Sequence, residues 1–331
     1  MSQVTIVQVI YNSKRFIEPV FSGIFRQTFK DFNVVAVISG NDDGGKELLM
    51  GKFPQVEVID PGYNIGFAGG HNLVFSKYNS EFFQLVNPDL IMEPNYIEEM
   101  LKVFNDEKVA GATGKLYQAD ITRGILALHK DSPCTLDTTG VNISKSGRAR
   151  DRGQHEEDKH QYDALVVVDG VSGAGAMYRR AALENIKYQV SNIKNEYFDE
   201  DFHSYWEDVD LSWRMANAGW KNVFVPSAIA YHGRTAGSSK SGYGDVSGFI
   251  AHHRKLSPRI RQLNYQNHIF MYVKNSPWFY PQFFVREFFM FIYILIFETA
   301  TLKVLPEMFK LLSKMFKKRR LINTTITHGR V

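Results

Sequence analysis

Cysteine is nearly missing from this sequence, with Cys134 the single one among 331 residues. A lone thiol excludes an intramolecular disulfide and a cysteine-built zinc site, and it suits a reducing compartment. A large excess of charge is missing too. The formal net charge is +4 with 22% charged residues, too little to argue for nucleic acid, and 44% hydrophobic residues provide for a sizeable core. Internal repeats and low-complexity segments are absent. So is an apolar run of the roughly 20 residues that span a bilayer, because Arg286, Glu287 and Glu298 bracket the uncharged residues 288–297 closely. The start of the chain lacks the basic, apolar and small-residue regions of a secretion signal, so the protein is expected to stay where it is made. Glycine, finally, is absent from Tyr11-Asn12-Ser13-Lys14-Arg15, the turn after the first apolar segment. A dinucleotide-binding fold needs glycines there to bring the backbone against a pyrophosphate. The Gly66-Phe67-Ala68-Gly69-Gly70 turn has the wrong spacing and comes too late in the sheet, which weakens nicotinamide and flavin readings.

What is present over residues 1–110 is an alternation of short apolar strands and helices. Strands are expected at 4–10, 32–39, 56–59 and 82–86, with helices near 15–28, 46–52, 66–78 and 96–105. That pattern predicts an α/β fold with a mostly parallel, Rossmann-like central sheet covered on both faces. Residues 111–170 are richer in turns, and the tract 145–153 carries Arg148, Arg150 and Arg152 in what reads as a loop able to fold over an anion. A solvated charged loop explains the same residues. A strand at 164–169 leads into a run of small residues, Gly173-Ala174-Gly175-Ala176, and another is expected at 223–225. From about residue 250 the chain turns basic and aromatic, and 302–316 has apolar residues at helical spacing between lysines, ending in Lys317-Lys318-Arg319-Arg320. Such a helix can lie in a membrane interface or dock on the sheet domain. The chain therefore divides into a domain at 1–245 and a helical, membrane-associating extension at 246–331.

Ligands of an open parallel sheet bind beyond the carboxyl ends of its strands, where Tyr11-Asn12 and Asn87-Pro88-Asp89 fall. Asp89 offers the hard oxygen that Mg2+ or Mn2+ prefers, although Asn-Pro-Asp is also an ordinary turn. Tyr205-Trp206-Glu207-Asp208-Val209-Asp210 crowds three carboxylates at a helix start. Capping of free N–H groups accounts for them, and so does a general base. His232, before Gly233, reads as a metal ligand, a phosphate donor or a plain loop histidine.

In combination, Tyr11-Asn12, Asn64-Ile65-Gly66-Phe67-Ala68-Gly69-Gly70-His71-Asn72, Asn87-Pro88-Asp89, Gly173-Ala174, Glu207-Asp208-Val209-Asp210-Leu211 and His232 resemble, in this order, the family 2 glycosyltransferases. The similarity is to their bacterial rhamnosyltransferase-like branch and covers residues 3–240. The resemblance implies a GT-A fold, a nucleotide-sugar donor, a divalent cation (Mg2+ or Mn2+) and inversion at the anomeric carbon. It makes Asp208 the general base and Glu207 its neighbour in the acceptor pocket. Asp89 becomes the metal carboxylate and His232 a second metal or diphosphate contact. Tyr11, Asn12, Asn64, Gly66, Phe67, Asn72, Asn87, Gly173 and Ala174 become donor contacts, and Arg150, Arg152, Trp206 and Arg234 acceptor or diphosphate contacts. Where the family has Asp-Asn after its second strand this chain has Ile38-Ser39, so Asn41 or Asp42 is expected to substitute.

The implied activity is transfer of a sugar, rhamnose from dTDP-rhamnose first, to a hydroxyl of a glycan or lipid-linked glycan in cell-surface polysaccharide synthesis. Another hexosyl or galactofuranosyl transferase of the same fold is the alternative. A glycoside hydrolase pairing Asp89 with Asp208 and a non-catalytic sugar-nucleotide-binding protein are the rivals from other classes. The expected location is cytoplasmic, peripheral on the inner membrane face through the C-terminal helices, with homo-oligomerisation left open.

Overall fold

The computed structural model describes residues 2–40, 43–121, 134–191, 194–233, 250 and 253–328. Its centre is β1 (Val4–Ile10), whose seven residues are all buried. It pairs in parallel with β2 (Phe32–Ile38) on one side and β4 (Phe82–Leu85) on the other, and β3 (Glu57–Ile59) extends the parallel edge. Helices α1 (Lys14–Phe25), α2 (Gly45–Lys52), α3 (Gly66–Lys77) and α4 (Tyr96–Lys102) connect these strands. Burial on both faces is why β1 is mostly apolar instead of alternating, and its two polar residues, Thr5 and Gln8, are buried and hydrogen-bonded. Val4, Ile6 and Ile10 pack toward α1 and α4, while Val7 and Val9 pack toward α3 and the opposite core.

Beyond β4 the sheet becomes mixed. It continues through β5 (Leu90–Met92), β6 (Val109–Gln118), β7 (Leu136–Thr138), β10 (Val166–Val168), β11 (Met177–Arg179) and β14 (Lys221–His232), in the order β10-β14-β6-β11-β4-β1-β2-β3 with β5 on β14 and β7 on β6. Strand β11 runs antiparallel between β4 and β6, which draws the small residues just before it over the carboxyl end of β4. Strand β14 was expected at three residues and has twelve, pairing in parallel with β6. The tract holding the three arginines is not an open loop. It forms a hairpin of β8 (Val141–Ile143) and β9 (Ala149–Asp151), with Arg150 paired to Asn142.

After β11 come α5 (Arg180–Ile186), the two-stranded β12 (Tyr188–Ser191) and β13 (Lys194–Glu196), and α6 (Glu207–Asn217). Among the described residues the C-terminal region is built mainly on the helices α7 (Pro258–Asn275), α8 (Pro281–Phe297) and α9 (Leu305–His328), the last preceded by a 3-10 turn at Thr299–Val304. Ser257 caps α7 by accepting from the Ile260 N–H at 3.3 Å, and Pro258 occupies the first turn, where its missing N–H costs nothing. These helices share a core with the rest of the chain, since Phe270, Met271, Val273, Met308 and Met315 bury against Val141, Phe202 and Val209. In contrast, α8 leaves Phe284, Val285, Phe288, Phe289 and Ile296 exposed. No single helix among the described residues is long and apolar enough to cross a membrane; α8 and residues 299–322 reach that length only as a pair bent by 116°.

Candidate active site

The carboxyl ends of β1, β4 and β14 converge with the start of α6. Asn87-Pro88-Asp89 forms the turn from β4 into β5. Its backbone is fixed from three sides: the Asn87 N–H donates to Ala174 O at 2.8 Å, Gln8 Nε2 to Asn87 O at 3.3 Å, and the Gly233 N–H to Asp89 O at 2.8 Å. The last contact sets His232 beside Asp89, with Nε2 3.2 Å from Asp89 Oδ1 and Nδ1 2.8 Å from Asp137 Oδ2. Burial acts to lower the imidazole pKa, but hydrogen bonds to Asp137 and Asp89 outweigh it and bring it up to about 9. Burial likewise opposes ionisation of Asp89, and His232 more than compensates, so that carboxyl is held below its ordinary value.

A divalent cation fits this pair. Two neighbouring ligands about one small ion stand roughly 3 Å apart, close to the 3.2 Å seen. Asp137 orients the ring through the other nitrogen, as carboxylate partners of metal-ligating histidines do. Ligation would require Nε2 to lose its proton. Among the described residues no three His, Cys, Asp or Glu side chains form a ready cage, so the remaining ligands would come from the diphosphate and water, as Mg2+ commonly takes them.

Asp208 lies one step away along the chain of small residues. Gly173 donates its N–H to Asp208 Oδ2 at 2.8 Å, and its neighbour Ala174 receives the Asn87 N–H. A Cβ on Gly173 would stand 3.1 Å from Asp208 Cβ and 3.3 Å from the Phe67 ring, so the approach depends on glycine. Asp208 is the second residue of α6, and its Oδ1 accepts the Val209 N–H at 2.8 Å. The capping expectation is met only in this form, because Trp206 occupies the cap position and no side chain caps the helix. Burial raises the pKa of Asp208, against the hydrogen bonds from Gly173 and Val209. Burial also pushes Glu207 up to about 8, helped by the charge of Asp208. Glu207 is buried, and its Oε2 has no hydrogen-bond partner among the described residues.

The loop before α6 is strained. His203, Tyr205 and Trp206 have φ values of 60°, 71° and 74°, a region that side-chain-bearing residues rarely occupy. Gly66 answers it from α3, having φ +72° and lying so close that a Cβ would fall 2.7 Å from the His203 ring, while the Phe67 N–H donates to His203 O at 3.2 Å.

Other residues singled out by sequence divide into two groups. Tyr11 is exposed and stands over Gly40, where an added Cβ would meet its ring at 3.1 Å and Asn64 at 3.3 Å. Asn64 Oδ1 accepts from Ser39 Oγ at 3.0 Å and from the Gly66 N–H at 3.0 Å, so Ser39 in the departing Ile38-Ser39 pair braces this loop. Asn12 lines an open cleft of about 660 Å3 with Lys14, Arg15 and Asp43. Asn72 is buried, and its amide holds residues 197–200 by bonds to Phe198, Tyr197 and Glu200, which corrects its assignment as a donor contact. Half-buried Arg152 donates to Thr139 Oγ1 at 3.1 Å and lies over the Tyr162 ring at 4.3 Å; Arg150 is exposed on β9. The Trp206 indole is turned toward α7, donating to Asn264 Oδ1 at 3.1 Å. Asn41, Asp42 and Arg234 lie outside the described residues.

Sequence reasoning missed Asp137 and the whole of α7. Asp137 is fully buried in the strand segment Leu136-Asp137-Thr138, and a charge inside an apolar, β-branched stretch is a signal for a paired group.

The profile of the family described as Glycosyl transferase family 2 matches residues 5–187. An N-acetylglucosaminyl-diphospho-decaprenol L-rhamnosyltransferase of Mycobacterium tuberculosis is 24% identical over 263 residues, covering 75% of this chain and 81% of that protein. The fold is similar to that of GalNAc-T7 with UDP, GalNAc and Mn2+, at TM-score 0.59 and 10% identity, over 98% of this chain and 55% of that one. It is also similar to mannosyltransferase PcManGT from Pyrobaculum calidifontis in complex with GDP-Man and Mn2+, at TM-score 0.51 and 13% identity, over 99% of this chain and 87% of that one. The chain belongs to glycosyl transferase family 2 and is a glycosyltransferase of the GT-A fold.

Proposed function

We propose that the protein is an inverting rhamnosyltransferase that uses dTDP-rhamnose and a lipid-linked glycan acceptor. The observation that carries an inverting mechanism is the Gly173-Ala174 bridge, which ties the Asn87-Pro88-Asp89 turn to a half-buried carboxylate at Asp208. One carboxylate must take the acceptor proton as the hydroxyl attacks the anomeric carbon. Burial makes Asp208 more basic than a free aspartate, so it holds that proton more firmly. Glu207, at about 8, is protonated at neutral pH and so does not set a second anion beside the base. Asp89 and His232 would hold the divalent cation, which when bound neutralises charge developing on the leaving diphosphate. Tyr11, Asn12 and Asn64 line the nucleoside side, and Gly66, Phe67, Asn87, Gly173 and Ala174 the donor sugar and diphosphate side.

A retaining or inverting hydrolase would need one carboxylic acid kept protonated opposite a second carboxylate. Asp89 is ion-paired with His232 at 3.2 Å and so is not a free carboxylate turned toward Asp208, which disfavours that pairing. Rhamnose rests on the Mycobacterium tuberculosis relative, whose name also specifies a lipid diphosphate acceptor. The exposed aromatic face of α8 and the exposed Lys310 and Lys317 of α9 support peripheral attachment to the cytoplasmic membrane face, whereas Lys314 and Lys318 are ion-paired within the protein. Residues 1–245 would then carry the chemistry and 246–331 the attachment.

A thermal-shift panel of nucleotide sugars with Mg2+ or Mn2+ tests the donor. dTDP-rhamnose with cation is expected to give the largest shift. A larger shift with another sugar nucleotide replaces the rhamnose assignment, and no shift with any of them removes the donor reading.

A further inference from the structure

The loop that presents Glu207 and Asp208 holds three left-handed, side-chain-bearing residues within four positions. Such a backbone persists only where its surroundings over-determine it. The restraint comes from α7, far along the chain. Asn267, fully buried, directs its amide nitrogen at three loop carbonyls: Phe202 O at 2.9 Å, Ser204 O at 3.0 Å and Tyr205 O at 2.9 Å. Its two hydrogens are shared among those three acceptors; Phe202 O also accepts the Ser204 N–H at 2.7 Å, whereas Ser204 O and Tyr205 O take their bond from Asn267. One helical turn earlier, Asn264 accepts from the Trp206 indole at 3.1 Å. Further along the same helix, Asn275 donates to Asp210 Oδ1 at 2.6 Å and Lys274 pairs with the same carboxylate at 2.9 Å. The polar stripe of α7 thus follows the loop and the first turn of α6.

We infer that Asn267 is a positioning residue of the transferase site, holding the 202–206 loop in the conformation that aims Asp208 at the acceptor. Asn267 touches neither Asp208 nor the Asp89 turn; its effect passes through the carbonyls it fixes and through the helix start that follows them. The stretch read from sequence as a membrane extension is, on its α7 side, part of the catalytic architecture. The inference rests on Asp208 being the base, and its first test does not.

Hydrogen–deuterium exchange on the full chain needs no substrate. In Asn267→Leu, which keeps volume and removes the donors, amides of residues 203–209 are expected to exchange at least about tenfold faster, with β1 and β4 unchanged. Donor consumption, measured with dTDP-rhamnose, Mn2+ and an N-acetylglucosaminyl-diphospholipid acceptor, is expected to show kcat at least about tenfold lower with donor KM within about twofold. The acid limb of the kcat profile is expected to move to lower pH. Water admitted beside Asp208 undoes the burial that raises its pKa, while Glu207, Asp151 and Tyr178 remain its titratable neighbours. Asn264→Ala, at a partly exposed position, is expected to give the same changes at smaller size and serves if Asn267→Leu does not fold. Unchanged loop exchange overturns the inference. So does a loss of turnover that only tracks the folded fraction, with the acid limb in place. A wild type that consumes no sugar nucleotide removes the catalytic half of the proposal, and the exchange rates still decide whether Asn267 holds the loop.

Discussion

Asp89 and His232 sit at strand ends, locked by sheet register, whereas Glu207 and Asp208 begin a helix behind a strained loop that another helix ties down. At the first end the fixing contacts come from immediate sheet neighbours: β5 pairs with β14 so that Leu90 stands opposite His232, and Asp137 comes from β7. At the second end they come from α7, more than fifty residues beyond the base. The difference separates two routes to a precise site. Strand register fixes a side chain through the sheet itself, while the helix start needs a dedicated set of polar partners, and each route has its own way to fail.

The largest effect should come from the proposed base, Asp208. Asp208→Asn is expected to lower turnover by about 10³-fold while leaving nucleotide affinity within about twofold, as removal of a general base does. Steady-state kinetics beside calorimetric titration of the nucleotide would check this; a variant that keeps most of its turnover would end the assignment.

Next comes the buried charge network behind α6. Lys318 of α9 is buried against Asp199, with Glu196 at 3.2 Å and Asp201 at 2.8 Å, and Lys274 bridges Asp199 at 2.5 Å to Asp210 at 2.9 Å. Breaking such a network strands a buried charge, so Lys318→Met is expected to cost roughly 3 kcal/mol or more in chemical denaturation. The comparison predicts unequal damage: turnover falls in molecules that remain folded, while cation-dependent nucleotide binding at the strand end holds. Equal loss at both ends would mean the two are not independently built.

The strand end has its own probe. Asp137→Asn removes the charge that orients His232 and is expected to weaken Mn2+-dependent nucleotide affinity by about 10–100-fold. Hydrogen–deuterium exchange of residues 203–209 should not change. Unaltered cation affinity would mean that Asp137 serves only packing.

This asymmetry also explains what could be read from the chain. The parallel half of the sheet was legible because its strands are continuous apolar runs such as Val4-Thr5-Ile6-Val7, separated by helices of ordinary length. Asn87-Pro88-Asp89 and Glu207-Asp208 were legible because each packs its chemistry into a few adjacent residues. Strand β6 was not, since Val109-Ala110-Gly111-Ala112-Thr113-Gly114 fills four of its first six positions with alanine or glycine, chosen by close packing instead of strand propensity: a Cβ on Gly114 would fall 2.2 Å from Ala228 O. Helix α7 escaped because its sequence lacks an amphipathic pattern. Leu263, Asn267, Phe270, Met271 and Lys274 are all buried, so polar and apolar residues share one interior face. Long-range tethers of that kind leave no local signature.

Glu207 gives the smallest and most selective test of the base end. Its folded pKa of about 8 lies above the ordinary carboxyl value of about 4.5. A carboxyl raised on folding contributes stability that is fully present below its unfolded pKa and lost as pH rises through the folded one, here between about 4.5 and 8. Above that window the buried, unpartnered carboxylate must carry its charge. Glu207→Gln abolishes the titration, so the variant is expected to match wild type at pH 5 and to melt on the order of 5 °C higher at pH 9. Calorimetric scans across that range check the sign directly, and an equal shift at both pH values would mean that Glu207 does not titrate in the window. The strand end offers no such gain, because Asp89, His232 and Asp137 already pair their charges with one another. A stabilising substitution confined to the α6 end would identify Glu207 as a residue whose ionisation the fold tolerates at a cost, beside the proposed base Asp208.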